Sequence, residues 1–288
     1  MSELVKIHEW PELERPVLVV GLEGWIDAGG AAQSAISTLL STMPNKLVAE
    51  FDADALIDHR ARRPIARISD GKTAELRWPI TKLNAATNRN GRTVLLLTGP
   101  EPDMRWHQFT REVISLASRM GVEMLVGLGA FPAPVPHTRA VRLAATGTDE
   151  TLTRKVGFMP ATLEVPAGVQ ASLEVAAGEA NIPAVGVWAR VPHYVSAMPY
   201  PAAAAALLEK LAELADLEID ASALRNAATS TSSQIDQLVS NNEEHLNLLR
   251  QLEAQHDQEE GPSATHFGPL PSGDELAAEL EKFLRGES

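Results

Sequence analysis

The sequence predicts an α/β fold with three layers, in which helices cover both faces of a mostly parallel sheet and a helical extension follows at the C-terminal end. Three observations predict it. Short, wholly apolar runs, typical of strands buried on both faces, recur along the chain. Longer stretches with apolar residues at three- and four-residue spacing follow them, as amphipathic helices require. Glycine-bearing turns join the two kinds of segment, and this alternation is characteristic of βα units.

The first strand–turn–helix unit shows this pattern most clearly. Residues 17–20 are four apolar residues in a row, and Gly21 and Gly24 follow them. Glycine lets the backbone turn where a Cβ atom would clash. Asp27 is placed to accept hydrogen bonds from the first amides of the next helix. The predicted inner face of that helix consists of Ala28, Ala31, Ala32, Ala35, Ile36, Leu39 and Leu40.

This first turn also carries a family resemblance. Residues 21–29, with the sequence GLEGWIDAG, resemble the signature of the proteasome assembly chaperone 2 family in its bacterial and archaeal form. Residues 98–102 and 127–130, each after a predicted strand, fit the same family, and the likeness spans roughly residues 16–217. The resemblance implies an α/β/α fold similar to that of nucleoside phosphorylases and peptidyl-tRNA hydrolases. It implies little about chemistry, since most bacterial members have no assigned role.

The remaining elements follow in chain order. Residues 52–78 alternate apolar and charged positions around Asp70-Gly71, which predicts a hairpin at the sheet edge. Further strands are predicted at residues 47–51, 93–97, 122–128, 141–145 and 182–188. One helix is predicted to begin near Pro102 and to end at Gly121; its inner face is Phe109, Val113, Leu116, Ala117 and Met120. The other helices are predicted at residues 151–156, 169–180 and 201–217.

The C-terminal part is predicted to be a separate piece. Residues 230–257 indicate one long helix, with Ile235, Leu238, Asn242, Leu249 and Leu252 along one side. That side fits a coiled-coil seam with Asn242 fixing the register, or an amphipathic helix lying on its own domain, and the second interpretation is favoured. We therefore divide the chain into a core domain at 1–217, a helical extension at 218–257, and an acidic linker with a terminal amphipathic helix at 258–288; the helix itself covers residues 274–285.

Charge and composition restrict the function classes. The net charge is −13, and residues 207–288 hold 17 acidic against 5 basic residues, whereas residues 1–206 hold 21 against 20. An acidic region of this size repels phosphate backbones, so no nucleic-acid partner is predicted. The absence of cysteine excludes disulfides, thiolate nucleophiles and cysteine-ligated zinc, and it suits a cytoplasmic protein. No signal pattern or membrane-length apolar run is present, which predicts no membrane association.

The candidate site lies where strands end. Ligands of open parallel sheets bind at the carboxyl ends of the strands, which here are residues 21–27, 98–105 and 127–131. Backbone amides at glycine turns and helix starts can hold an anion there. The candidate ligand-binding residues are Gly21, Glu23, Gly24, Trp25, Asp27, Gly29, Gly99, Glu101, Arg105, Gly129, His137 and Arg139. The alternative is structural: the glycines serve turns and close packing, and the carboxylates cap helices.

These patterns predict a non-catalytic protein that binds a protein partner or itself, as a homo-oligomer, with the client undefined. A trimer built on the long C-terminal helix is one arrangement of this kind. The alternative is an enzyme or sensor of the phosphorylase or hydrolase kind that binds a nucleotide-like or other anionic small molecule at the glycine turns. His137 and His193 lack Ser-His-Asp ordering and His-x-x-x-His spacing, so no catalytic residue, metal ligand set or cofactor is predicted.

Overall fold

The computed structural model describes residues 4–88, 90–157 and 162–259. Its strands in chain order are β1 Val5–Ile7, β2 Val17–Glu23, β3 Asn45–Phe51, β4 Ile65–Ser69, β5 Lys72–Arg77, β6 Lys82–Thr87, β7 Thr93–Pro100, β8 Met124–Ala133, β9 Leu143–Gly147 and β10 Ala184–Pro192. Its helices are α1 Ala31–Thr42, α2 Ala53–Leu56, α3 Trp106–Arg119, α4 Glu150–Val156, α5 Val169–Glu179, α6 Pro201–Ala215, α7 Ser222–Ser240 and α8 Glu243–Glu259. None of these helices is both long and apolar enough to cross a membrane.

An eight-stranded mixed sheet forms the middle layer, in the order β1-β3-β6-β7-β2-β8-β10-β9. The four strands β7, β2, β8 and β10 run parallel in its centre. Antiparallel strands flank them on both sides. The predicted central position of the first apolar run is confirmed, because β2 lies between β7 and β8 and residues 17–20 are buried.

Helices cover both faces of this sheet, which confirms the predicted three layers. On one face, residues of α1, α6 and α7 form a single apolar cluster with alternate residues of the central strands. On the other face, α3 and α5 pack against the remaining alternate residues. Since successive side chains of a strand point to opposite faces, strands that are apolar throughout supply both clusters.

Local departures from the predicted elements have physical reasons. Strand β6 was not predicted, because only its Leu83 and Ala86 are buried and the segment has no apolar run. Helix α2 lies at the start of residues 52–78, the range in which only a hairpin was predicted; it forms there because the Asp52 side chain accepts hydrogen bonds from the amides of the first turn. Helix α3 begins at Trp106 and not near Pro102, because Arg105 takes a left-handed conformation with φ of 58°.

The prediction of one long helix at 230–257 is wrong. The chain breaks between α7 and α8, where the Asn242 side chain accepts a hydrogen bond of 2.8 Å from the Glu244 amide. Asn242 is exposed and serves as a helix start, so it fixes no coiled-coil register. Ile235 of α7 is buried with the α1 and α6 residues, as an amphipathic helix on its own domain requires. Helix α8 continues into the range predicted as linker; the rest of that range and the predicted helix at 274–285 lie outside the described residues.

The predicted hairpin is confirmed, but it is not an edge of the main sheet. Strands β4 and β5 pair only with each other, as a separate two-stranded antiparallel sheet. Asp70 and Gly71 form its turn with φ of 50° and 76°, the conformation of a type I′ turn. Every residue of both strands is exposed.

Candidate functional site

The three predicted strand ends meet at one edge of the sheet. Glu23 is in register with Pro100 at the ends of β2 and β7, and the Glu101 amide donates a hydrogen bond of 2.7 Å to the Glu23 carbonyl. Beyond the end of β2, Asp27 forms an isolated parallel bridge with Ala130 of β8. The carboxyl ends of β2, β7 and β8 are therefore neighbours, as a parallel centre dictates.

A surface groove of about 470 Å³ lies at the ends of β2 and β7. Its lining residues are Glu23, Gly24, Arg62, Pro79, Ile80, Gly99 and Pro100. Glu23, Gly24 and Gly99 were predicted as candidate ligand-binding residues. Arg62, Pro79 and Ile80 were not, because they belong to the segment around the hairpin, whose path over the sheet has no local sequence signal.

Gly24 and Gly99 are glycines because the base of the hairpin approaches them closely. Their φ values are +123° and +103°, which favour glycine. A Cβ atom on Gly24 would stand 2.3 Å from Arg62 Nη2, and one on Gly99 would stand 2.5 Å from the Ile80 carbonyl oxygen. The two glycines thus let the chain around the hairpin form one wall of the groove.

Arg62 supplies the cationic side of the groove. Its Nη1 donates to the Glu101 carbonyl, and its Nη2 lies 3.3 Å from Asp103 Oδ1. The other oxygen of Asp103 accepts a hydrogen bond of 2.8 Å from the Asp58 amide. This small network joins the base of the hairpin to the loop after β7, so Arg62 is partly neutralised where it faces the groove.

The other two candidate carboxylates of these loops hold helix starts. Asp27 accepts hydrogen bonds from the amides of Ala32 at 2.7 Å and Gln33 at 3.0 Å, and so caps α1 across a short 3-10 turn at Ala28–Gly30. Burial raises the pKa of Asp27, although these backbone hydrogen bonds oppose the shift. Glu101 is buried and accepts from the Val169 amide at 3.0 Å. It therefore caps α5, and not α3, the helix whose start it was expected to serve.

The described residues contain no group of three or more His, Cys, Asp or Glu side chains arranged to hold a metal ion. Three carboxylates of the strand-end loops, those of Asp27, Asp103 and Glu101, accept hydrogen bonds from backbone amides. The groups that the groove presents to a ligand are the Arg62 guanidinium, the Glu23 carboxylate and the backbone of Gly24 and Gly99.

The remaining candidates of the strand ends serve close packing. A Cβ atom would stand 2.2 Å from Ile36 at Gly21, 2.6 Å from Tyr200 at Gly29 and 2.3 Å from the Trp188 ring at Gly129. At Gly21 the contact is with a side chain of helix α1, and at Gly129 it is with a side chain of the neighbouring strand β10. These contacts explain the glycines without a ligand.

Two further candidates lie on the surface near these loops. Trp25 is 43% exposed and its ring packs beside Gly168, just before α5. Arg105 is exposed at the start of α3, where its carbonyl accepts hydrogen bonds from the amides of Gln108 and Phe109. Neither side chain lines the groove.

His137 lies away from the groove, in the loop after β8, and is buried. Its amide donates to the Tyr194 hydroxyl at 2.9 Å, its Nδ1 lies 2.7 Å from the same hydroxyl, and its Nε2 lies 3.1 Å from Asp236 Oδ1. Burial raises the pKa of Tyr194. The imidazole thereby links the loop after β8 to the residues after β10 and to α7.

Arg139 continues this connection to α8. Its Nε and Nη2 each lie 2.8 Å from a carboxylate oxygen of Asp257, and its Nη1 lies 3.2 Å from Glu253. These hydrogen bonds hold the pKa of Asp257 below its usual range. We call His137, Arg139 and their partners Tyr194, Asp236, Glu253 and Asp257 the C-terminal clasp. Sequence reasoning missed its acidic half, because the partners of Arg139 are more than a hundred positions away in the chain.

A buried glutamate with its hydrogen-bond partners was also not predicted from the sequence. Glu174 of α5 is buried, and its carboxylate accepts from Thr146 Oγ1 at 2.9 Å and Gln170 Nε2 at 3.1 Å. Trp188 Nε1 donates to the same Thr146 hydroxyl at 3.0 Å. A Cβ atom on Gly186 would stand 2.4 Å from the carboxylate, so this glycine makes room for it. Burial raises the pKa of Glu174.

Comparisons with known proteins identify a family and several related structures. The model of the PAC2 family matches residues 21–239. A Corynebacterium glutamicum protein of unknown function is 32% identical, with a TM-score of 0.85 over 90% of this chain and 98% of that one. A Mycobacterium tuberculosis proteasome-assembly chaperone homologue is 34% identical, with a TM-score of 0.76 over 81% and 99%. An archaeal proteasome activator of Pyrococcus furiosus shares the fold at 17% identity, with a TM-score of 0.64 over 81% and 97%. No curated protein sequence matches the chain.

Proposed function

The chain belongs to the PAC2 family, and from that premise we propose that it is a non-catalytic, assembly-chaperone-like protein that binds a protein partner or associates with itself. The observation that carries the proposal is the family match, together with the 34% identity to a protein described as a proteasome-assembly chaperone homologue. Such a role needs surfaces for partners rather than reacting groups. The proposed setting is the cytoplasm, which suits a chain without cysteine.

The use of the polar residues at the strand ends supports this proposal. An enzyme of the hydrolase kind needs an acid or base free to contact its substrate. Here Asp27, Glu101 and Asp103 accept hydrogen bonds from backbone amides, and His137 contacts Tyr194 and Asp236. These groups are engaged in holding helices and loops together, which leaves Glu23 as the candidate carboxylate that lines the groove.

The test of this proposal uses the intact chain. Size-exclusion chromatography with light scattering measures its mass, and an affinity-tagged copy expressed in its own organism measures what it captures. We expect either a homo-oligomer or a stoichiometric complex with a defined protein. A monomer that captures no protein in stoichiometric amount would contradict the proposal.

The groove supports a second candidate function, a sensor or enzyme for a small anionic ligand. Arg62 faces a space of about 470 Å³ beside two glycines, where a phosphate-sized group has access to backbone and guanidinium. A ligand that binds the folded chain raises its melting temperature, by a free energy of RT ln(1 + [L]/Kd). We expect inorganic phosphate or ATP to raise the melting temperature of the native chain and not of Arg62→Gln. An unchanged melting temperature across that panel would reject this candidate.

A further inference from the structure

The β4–β5 hairpin is exposed over its whole length. All residues of Ile65–Ser69 and Lys72–Arg77 are exposed, and these strands pair only with each other. A two-stranded sheet alone in water is marginally stable, because it buries little apolar surface. A hairpin of this kind gains stability when another surface covers it.

The base of the hairpin is nevertheless held in place. Arg62, just before β4, bonds to the Glu101 carbonyl and to Asp103 of the loop after β7. Trp78, just after β5, meets the His59 ring edge-on, with ring centroids 4.8 Å apart. The structure therefore presents the two strands from a fixed base, which lowers the entropic cost of docking.

One face of the hairpin is apolar. Ala66 pairs with Leu76, and Ile68 lies two positions along β4 on the same face. Ile68 is 68% exposed and Leu76 is 47% exposed. The opposite face pairs Arg67 with Glu75 and Arg77 with Ile65, which is 62% exposed. An uncovered pair of large aliphatic side chains on a charged ribbon is typical of an interaction surface.

Charge indicates what covers this face. Residues 60–78 hold six basic and two acidic residues, a net charge of +4, whereas residues 207–259 hold eleven acidic and three basic residues, a net charge of −8. Within that acidic region, Leu238 of α7 is 60% exposed. Glu243 and Glu244, also exposed, follow it at the start of α8. We call Leu238, Glu243 and Glu244 the acidic corner.

We infer that the β4–β5 hairpin of one copy docks on the acidic corner of a second copy of this chain. The inference rests on the self-association in the proposed function and names its surface. Ile68 and Leu76 contact Leu238. The long side chains of Arg67 and Arg77 start from the opposite face of this two-stranded ribbon and reach around its two edges to Glu243 and Glu244. Because the two surfaces differ, such contacts close in one of two ways: as a two-fold dimer in which each hairpin meets the corner of the other copy, or as a ring. The contact also weakens as salt screens its charges.

The apolar half of the contact is tested with the double variant Ile68→Ser/Leu76→Ser in the full chain. Sedimentation velocity over a concentration series measures self-association. We expect the dissociation constant to rise by roughly tenfold or more, because the substitutions remove the apolar centre of the contact. The matched control is Val175→Ser, since Val175 of α5 is 57% exposed but far from both surfaces in sequence. Circular dichroism confirms that each variant is folded.

The charged half is tested by exchanging signs. Arg67→Glu/Arg77→Glu reverses the charge at these positions of the hairpin, and Glu243→Arg/Glu244→Arg reverses the charge of the acidic corner. We expect each variant alone to associate at least about tenfold more weakly than the native chain. An equimolar mixture should regain association, because every contact between the two different variants then joins opposite charges. A mixture that associates no better than its components would overturn the inference.

Two results separate this inference from the proposed function. If the native chain self-associates and both hairpin variants associate equally well, self-association stands and the hairpin is not its surface. If the native chain is a monomer but captures another protein, partner binding stands and docking between copies is wrong. Either result overturns the inference.

Discussion

Asp27 shows how a single residue connects the strand ends to the rest of the fold. It bridges to Ala130 of β8 through its backbone and caps α1 through its side chain. The same carboxylate was a candidate for acid–base or cation chemistry on sequence grounds. Its hydrogen bonds to two amides place it at the start of α1, so we expect substitution of Asp27 to change the stability of the fold.

The variant Asp27→Ala tests this assignment. It leaves the first amides of α1 without their acceptor, so the free energy of unfolding should fall by about 1 kcal/mol, and by no more than about 2 kcal/mol. Urea denaturation followed by circular dichroism measures it. Asp27→Asn is the matched control, because its side-chain oxygen still accepts and most of the stability should remain. Equal stability of Asp27→Ala and the native chain would contradict the capping role.

Glu174 gives a prediction about pH. Burial raises its folded-state pKa above the usual 4.5. A carboxyl with a raised folded pKa stabilises the fold most below its unfolded pKa, and this contribution is lost as pH rises through the folded pKa. Relative to the native chain, Glu174→Gln should therefore gain stability between about pH 4 and about pH 7. Denaturation at both pH values measures this difference.

The control for that experiment is Glu179→Gln on the exposed end of α5. This variant makes the same chemical change outside the buried site, so it measures the general effect of replacing glutamate by glutamine on α5. A stability difference for Glu174→Gln that is the same at both pH values would show that this buried carboxyl does not titrate as described.

At the scale of elements, sequence patterns predicted those parts of the fold that depend on local burial. The strands β2, β7, β8 and β10 have long buried runs, and α3 has a clear apolar face ended by Gly121. Strand β6 was missed because Leu83 and Ala86 alone do not form a pattern. The break before α8 was missed because a helix period continues across it, and only the cap at Asn242 marks it.

Of the candidate site, too, only the part that depends on local sequence could be predicted. The glycines at the ends of β2 and β7 pointed to the correct edge of the sheet. Arg62 was not found, because its place in the groove depends on how the hairpin folds back over Gly24 and Gly99. His137 and Arg139 were placed near the groove on grounds of loop position. The structure instead joins them to α7 and α8, through carboxylates that only tertiary folding brings there.

The C-terminal clasp predicts the behaviour of α8. Arg139→Gln removes the paired hydrogen bonds to Asp257, so α8 should open more often, with little change in global stability. Hydrogen–deuterium exchange measures this as faster exchange in Glu243–Glu259. The control is Arg154→Gln, which removes an ion pair with Glu150 inside α4. Unchanged exchange in α8 for Arg139→Gln would show that the clasp does not hold this helix.

At the scale of the whole molecule, charge is divided between two regions. The basic residues 60–78 surround an exposed ribbon, and the acidic residues 207–259 include the helices held by the clasp. A division of this kind favours association between copies in a fixed orientation, since like surfaces repel and unlike surfaces attract. Arg62, Pro79 and Ile80 at the base of the hairpin line the strand-end groove, whereas Ile68 and Leu76 do not. The substitutions that test docking therefore leave the groove residues unchanged.

Hydrogen–deuterium exchange of the native chain at low and high protein concentration tests the central claim most directly, that the molecule works by docking between protein surfaces. We expect exchange to be slower at the high concentration in Ile65–Ser69, Lys72–Arg77 and the start of α8. Exchange in the Val169–Glu179 helix should be the same at both concentrations, so this helix serves as an internal reference. Exchange that is the same at both concentrations throughout the hairpin and the acidic corner would contradict the account.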